Sequence, residues 1–156
     1  MLVFCLSANA QINDHLQALD AYQGSWVIYT NDLKMDTFCL TVSDWSKDGQ
    51  KLLASQLING EQGRRRDSCF YSYDSVQKIY PYYETDEIGK KITSSSDIVI
   101  DGKTWIYQHH IEGDRRWRTL NLFNDQGDEI SFRSQRSDDG GKTWTTTRSG
   151  KEYKVK

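Results

Sequence analysis

The chain has 156 residues and a formal net charge of −2. That length suits one domain with a core that needs no metal or crosslink, and the mild acidity excludes the broad basic field of a general nucleic-acid binder. Five Trp, nine Tyr and a single Pro favour strands over helices, and a mean hydropathy of −0.75 suits much solvent-facing surface or a partly polar interior.

The first ten residues, MLVFCLSANA, read as a targeting segment. An apolar run from Leu2 to Leu6 is followed by Ala8-Asn9-Ala10, the small-residue pattern of a signal-peptidase site. The run is too short to span a membrane. The expectation is an exported protein, periplasmic or secreted, without a membrane span, in which 1–10 is a signal-peptide remnant and 11–156 a single domain. A buried first strand is the alternative reading of the run. Cys39 and Cys69 remain after cleavage, and an oxidising compartment invites a disulfide. A meander, however, puts one strand between theirs, roughly 10 Å backbone to backbone and beyond bridging distance. The bridge is left open.

A short helix comes next. Asn13 or Asp14 caps it, Leu16, Leu19 and Tyr22 share one face, and Gly24 ends it. Ten candidate strands follow: 25–30, 36–45, 51–58, 66–75, 78–85, 90–100, 104–111, 116–123, 129–137 and 142–148. The turns between them, such as SKDGQ, NGEQG, IDGK, EGD, NDQGDE and DDGG, are rich in the residues that tight hairpins need. Short strands at regular spacing with no second helix mean an antiparallel sandwich or barrel. About ten in series favour an all-β, up-and-down barrel, because closure removes exposed edges.

Ser137-x-Asp139-x-Gly141-x-Thr143-Trp144 matches the Asp-box of sialidase propeller blades. One good copy in so short a chain, with no assignable arginine triad, argues for a folding device in a hairpin turn rather than a glycosidase. Gly24-Ser25-Trp26, after the helix and opening the first strand, resembles the G-x-W signature of lipocalins and related calycin barrels. The resemblance implies that Trp26 closes the narrow end of the barrel against a basic side chain of the last strand, for which Arg148 is the candidate. Residues 16–150 also resemble a small exported bacterial family of unknown function, through Tyr73-Asp74, DGKTW at 101–105 and DGGKTW at 139–144. That resemblance supports fold more than function.

His109 and His110 must point to opposite faces of their strand. Trp105, Tyr107, His109 and Ile111 make the more apolar face, so His109 is expected inside. An inward His resembles the ligand of haem-binding nitrobindin-like barrels. The other reading is a cavity histidine bonded to a neighbouring hydroxyl, and no second ligand pattern accompanies it. No zinc or iron spacing, nucleophile elbow or phosphate loop is visible. No cofactor, no metal and no catalytic residue is therefore assigned, and whether the protein is an enzyme stays open.

Counting turns along a meander puts the odd-numbered ones at the end opposite the helix. Arg64, Arg65 and Arg66 then share that open end with Arg115 and Arg116. Leu52, Ile58, Phe70, Tyr107, Leu120, Ile130 and Phe132 are expected on the inner face. The sequence thus suggests an exported barrel holding a small, amphiphilic and anionic ligand, contacted by Arg64, Arg66, Tyr107, His109, Arg116 and Phe132. Trp26, Arg148, Ser137, Asp139 and Trp144 have structural roles. A hydrolase or isomerase acting in the cavity, or an interaction module with a filled core, are the alternatives. Ligand identity and oligomeric state are not legible.

Overall fold

A computed structural model describes residues 15–29, 36–60, 63–86, 88, 90 and 96–156. Ten antiparallel strands run in chain order: β1 (Gly24–Tyr29), β2 (Thr37–Trp45), β3 (Leu52–Gly60), β4 (Gly63–Tyr71), β5 (Tyr80–Asp86), β6 (Ser96–Asp101), β7 (Thr104–Glu112), β8 (Arg115–Phe123), β9 (Glu129–Ser137) and β10 (Thr145–Lys154). Each pairs with its sequence neighbours, and β1 closes on β10 through Trp26↔Lys154 and Val27↔Tyr153. The all-β, up-and-down barrel expected from the turn spacing is the fold. Several strands differ in extent from the expectation. β4 runs Gly63–Tyr71 rather than over 66–75, so Arg64 and Arg65 also lie within the strand, and β10 runs from Thr145 past Arg148 to Lys154.

The helical segment comprises residues 15–17 and a 3₁₀ turn, Ala18–Tyr22. Leu16, Leu19 and Tyr22 are its buried face. It covers the end of the barrel that holds the turns after β2, β4, β6 and β8. Trp45 Nε1 donates to Asp20 at 2.8 Å, and Tyr80 donates its hydroxyl to the carbonyl of His15 at 3.0 Å. Trp26 Nε1 donates to the carbonyl of Tyr22 at 3.0 Å, and the hydroxyl of Ser43 reaches the same carbonyl. The expected cap at Asn13 or Asp14 and the expected leader at 1–10 lie outside the described residues.

Trp26 is fully buried at this closed end, stacked on Tyr22 at 5.7 Å and edge-on to Phe123 at 6.0 Å. Its cation is not Arg148. Lys154 Nζ lies 5.3 Å from the ring, while the Arg148 guanidinium sits over Phe38 and Phe132. The closing register explains the correction. Trp26 pairs with Lys154, which leaves Arg148 far up the same strand, toward the open end.

Alternation also corrects the inner face. Leu52, Tyr107 and Ile130 are buried in the core, and Ile58 shares the parity of Leu52 and Ala54. Phe70 and Leu120, however, lie on the outer face, because Asp67, Cys69 and Tyr71 on β4, and Asn121 and Phe123 on β8, take the buried positions. The outer surface carries its own apolar rows. Leu53, Phe70 and Tyr83 are register partners across β3, β4 and β5, as are Val99, Ile106 and Leu120 across β6, β7 and β8. Polar residues inside and apolar ones outside blur the contrast on which pattern reading depends.

Both described cysteines are free and buried. Cys39 pairs with Ile58 and Cys69 with Ala54, so β3 separates them and they sit at different heights. Burial pushes the Cys39 thiol up to about 11 and that of Cys69 to about 12.

Candidate functional site

The barrel interior is not filled. A cavity of about 650 Å³ lies between the helical cap and the open end, within the usual range for small-molecule sites. Its floor is a run of tyrosines. Tyr22 from the cap meets Tyr71 on β4 at 5.8 Å, Tyr71 meets Tyr82 on β5 at 5.2 Å, and Tyr82 meets Tyr107 on β7 edge-on at 5.3 Å. Burial pushes all four phenols above their ordinary range, so they are neutral donors at any physiological pH. Higher up, the walls include Ile28, His109, Trp117, Thr119, Phe132 and Ser134, with Ile111 exposed to solvent.

Three polar groups stand out against this surface. Glu152 on β10 is 5 % exposed. It accepts a hydrogen bond from the Tyr22 hydroxyl at 3.1 Å and another from Thr41. Burial raises its carboxyl to about 7, and the two hydroxyls restrain that rise. Glu84 on β5 is also raised by burial and accepts from Tyr82 at 3.1 Å. Asn121 on β8 is 8 % exposed, lines the cavity, and its Oδ1 has no hydrogen-bond partner. Buried acceptors are seldom left in that state.

Arg148 supplies the positive charge. Its guanidinium lies 4.3 Å from the centre of the Phe38 ring and 5.5 Å from that of Phe132, lines the cavity, and has no ion-pair partner among the described residues. The other arginines behave differently. The turn count does bring Arg64, Arg66 and Arg116 to the open end, but β4 and β8 alternation turns their side chains outward. Arg64 Nε donates to Asn59 Oδ1 at 3.2 Å, Arg66 is exposed, and Arg116 Nη1 donates to the carbonyls of Gly113 at 2.7 Å and Arg115 at 3.1 Å. None of the three lines the cavity. Arg65 points to the inner side and donates from Nε to the buried Asp67 at 2.9 Å.

Of the residues singled out from the sequence, the structure brings Tyr107, His109 and Phe132 together in the cavity, with Arg148. Ser137, Asp139 and Trp144 form a turn outside it. Asp139 accepts from the backbone of Lys142 and Thr143 and from the hydroxyls of Ser137 and Thr143. Trp144 donates to the carbonyl of Gly141 at 2.9 Å, and its ring carries Arg118 at 4.0 Å. Sequence reasoning missed Glu152, Glu84, Asn121 and three of the floor tyrosines. Counting by twos along β10 from Arg148 would have reached Glu152, but Gly150 interrupts the pattern.

No family model matches the chain, and no curated protein matches it. The G-x-W resemblance therefore stands at the level of architecture. The molecule is a closed barrel of ten antiparallel strands with a helical segment at one end, consistent with a calycin-like fold in general. Among the described residues no helix is long and apolar enough to cross a membrane, and no group of three or more His, Cys, Asp or Glu is placed to hold a metal.

Proposed function

We propose that this barrel binds a small, partly hydrophobic molecule that carries an anionic group, and that Arg148 anchors that group. The observation that carries the reading is a guanidinium, with no ion-pair partner among the described residues, in the wall of a 650 Å³ aromatic cavity. Arginine is always charged and offers a planar fork that matches carboxylate or phosphate. Phe132, Ile28 and Trp117 supply the apolar surface for the rest of the ligand. Arg64, Arg66 and Arg116 contribute long-range attraction at the open end rather than contact, so they speed capture at low salt. Export belongs to the same proposal and rests on the Leu2–Ala10 pattern; amino-terminal sequencing of protein from the native host tests it.

Quenching of tryptophan fluorescence by decanoate tests the binding. The wild-type chain is expected to bind, and Arg148→Ala to weaken binding by about ten-fold or more, the scale of a lost charged hydrogen bond. The Arg64/Arg66/Arg116→Ala triple variant is expected to bind more slowly at low salt with little change in affinity. No binding by wild type, or equal binding by Arg148→Ala, sinks the reading.

A second reading rests on Glu152. A cavity carboxyl raised to about 7 is the charge state a general acid–base group uses. Turnover of a small ester or epoxide library that Glu152→Gln abolishes would move the protein to the enzyme class.

A further inference from the structure

The cavity has two unlike poles. Arg148 and Glu152 occupy inner positions of the same strand, four residues apart, or roughly 13 Å along an extended backbone. Between them lies Gly150, with the ring of Phe132 against it. The upper pole is a cation on aromatic rings. The lower pole carries carboxyls, neutral hydroxyls and the Asn121 amide, and no cation among the described residues that line it. Glu152 is bound by two hydroxyl groups, and neither it nor Glu84 takes part in an ion pair among the described residues. Asn121, more than nine-tenths buried, also lines the cavity, and its carbonyl oxygen lacks a donor.

We propose that the floor is a subsite for a protonated amine, so that the ligand is two-ended, with an anion at Arg148 and an ammonium group near Glu152 and Asn121. The proposal rests on the binding reading above and names the chemistry of the ligand's second end. An ammonium has donors for both unlike acceptors, the Asn121 oxygen and the Glu152 carboxylate. Its charge is the one that a buried carboxylate without a basic partner lacks. The faces of Tyr71 and Tyr107 add the aromatic surface that favours cations. A hydroxyl would satisfy Asn121 but leave the carboxylate charge unmatched. A purely apolar tail would cover a buried acceptor without replacing its lost water, which is costly.

Three probes separate the two ends: decanoate, ω-aminodecanoate and decylammonium, titrated calorimetrically into the full chain at pH 8. ω-Aminodecanoate is expected to bind about ten-fold more tightly than decanoate, the scale of a charged hydrogen bond. Decylammonium is expected to bind even to Arg148→Ala. Glu152→Gln and Asn121→Leu, each verified as folded by its circular dichroism melt, are expected to bring the ratio of the first two affinities down toward one. If decanoate binds through Arg148 and the amine adds nothing, the floor proposal falls and the anion reading stands. If the amines bind and decanoate does not, the floor stands and the anion reading falls. Binding of none of the probes overturns both. A wild-type amine preference that survives in both variants overturns the assignment to Glu152 and Asn121.

Discussion

The ring of Phe132 lies directly against the backbone of Gly150: any Cβ at position 150 would be 2.8 Å from Phe132 Cζ. The two residues are register partners on β9 and β10. The missing side chain makes room for the far end of an inward phenylalanine ring against the β10 backbone. Gly150→Ala should therefore cost about 1–3 kcal/mol through overpacking and drive the ring into the cavity, weakening decanoate binding. Gly150→Ala with Phe132→Leu should recover most of that stability, because neighbouring substitutions couple. Denaturant melts of the two single variants and the double variant measure the coupling; strict additivity would show that the contact does not shape the wall.

Trp26 is the keystone of the closed end. Truncating it to alanine should destabilise the barrel by about 3–5 kcal/mol, as large aromatic deletions in cores do. Lys154→Ala should cost about 0.5–1 kcal/mol, the worth of a partly exposed cation–π contact. Arg148→Ala should cost a similar amount through its own contacts with Phe38 and Phe132 while it also affects binding. In double-mutant cycles only Lys154 should couple to Trp26; coupling of Arg148 to Trp26 instead would reverse the assignment of the cation beside that ring.

Glu152 makes stability depend on pH. In the unfolded chain its carboxyl ionises near its ordinary value of 4.5, whereas in the barrel burial holds the proton until about pH 7. The groups around it, Tyr22, Thr41, Cys39 and Tyr107, bring no positive charge to offset that. Below about pH 4.5 both states hold the proton and Glu152 costs nothing. Between there and pH 7 the unfolded state alone releases it, so stability falls, by a total on the order of 3 kcal/mol for a shift of that size, and then levels off. Glu152→Gln should match wild type in urea melts at pH 4.5 and exceed it at pH 8. An unchanged gap between the two proteins across that range would remove Glu152 as the cause.

The two thiols should be inert in the native state. Burial raises both, and thiolate is the reactive form. At pH 8 a disulfide-exchange reagent should label Cys39 and Cys69 far more slowly in the folded chain than in urea. Rapid labelling under native conditions would mean that the barrel opens locally around β2 or β4.

Much of the architecture is legible in the sequence. Turn chemistry marks most of the hairpins, the strand count alone brings the two arginine clusters to one end, and a period of two places Tyr107, His109 and Phe132 on the inner face. The Ser137–Trp144 motif is recognisable because its hydrogen bonds are local. What the sequence leaves open is which of two faces turns inward and what stands opposite what. On β4 and β8 the inner positions hold Asp67 and Asn121 while Phe70 and Leu120 point out, so apolarity does not mark the inside. Arg148 and Lys154 both lie on the inner parity of β10, and only the β1–β10 closing register decides which of them meets Trp26. Glu152 becomes a cavity group because β10 continues past Arg148 to Lys154. These are non-local pairings. Alternation is a property of one strand, but burial and register are settled when ten strands close on one another, and that closure puts a cation and an acceptor that have no partners among the described residues around the same space.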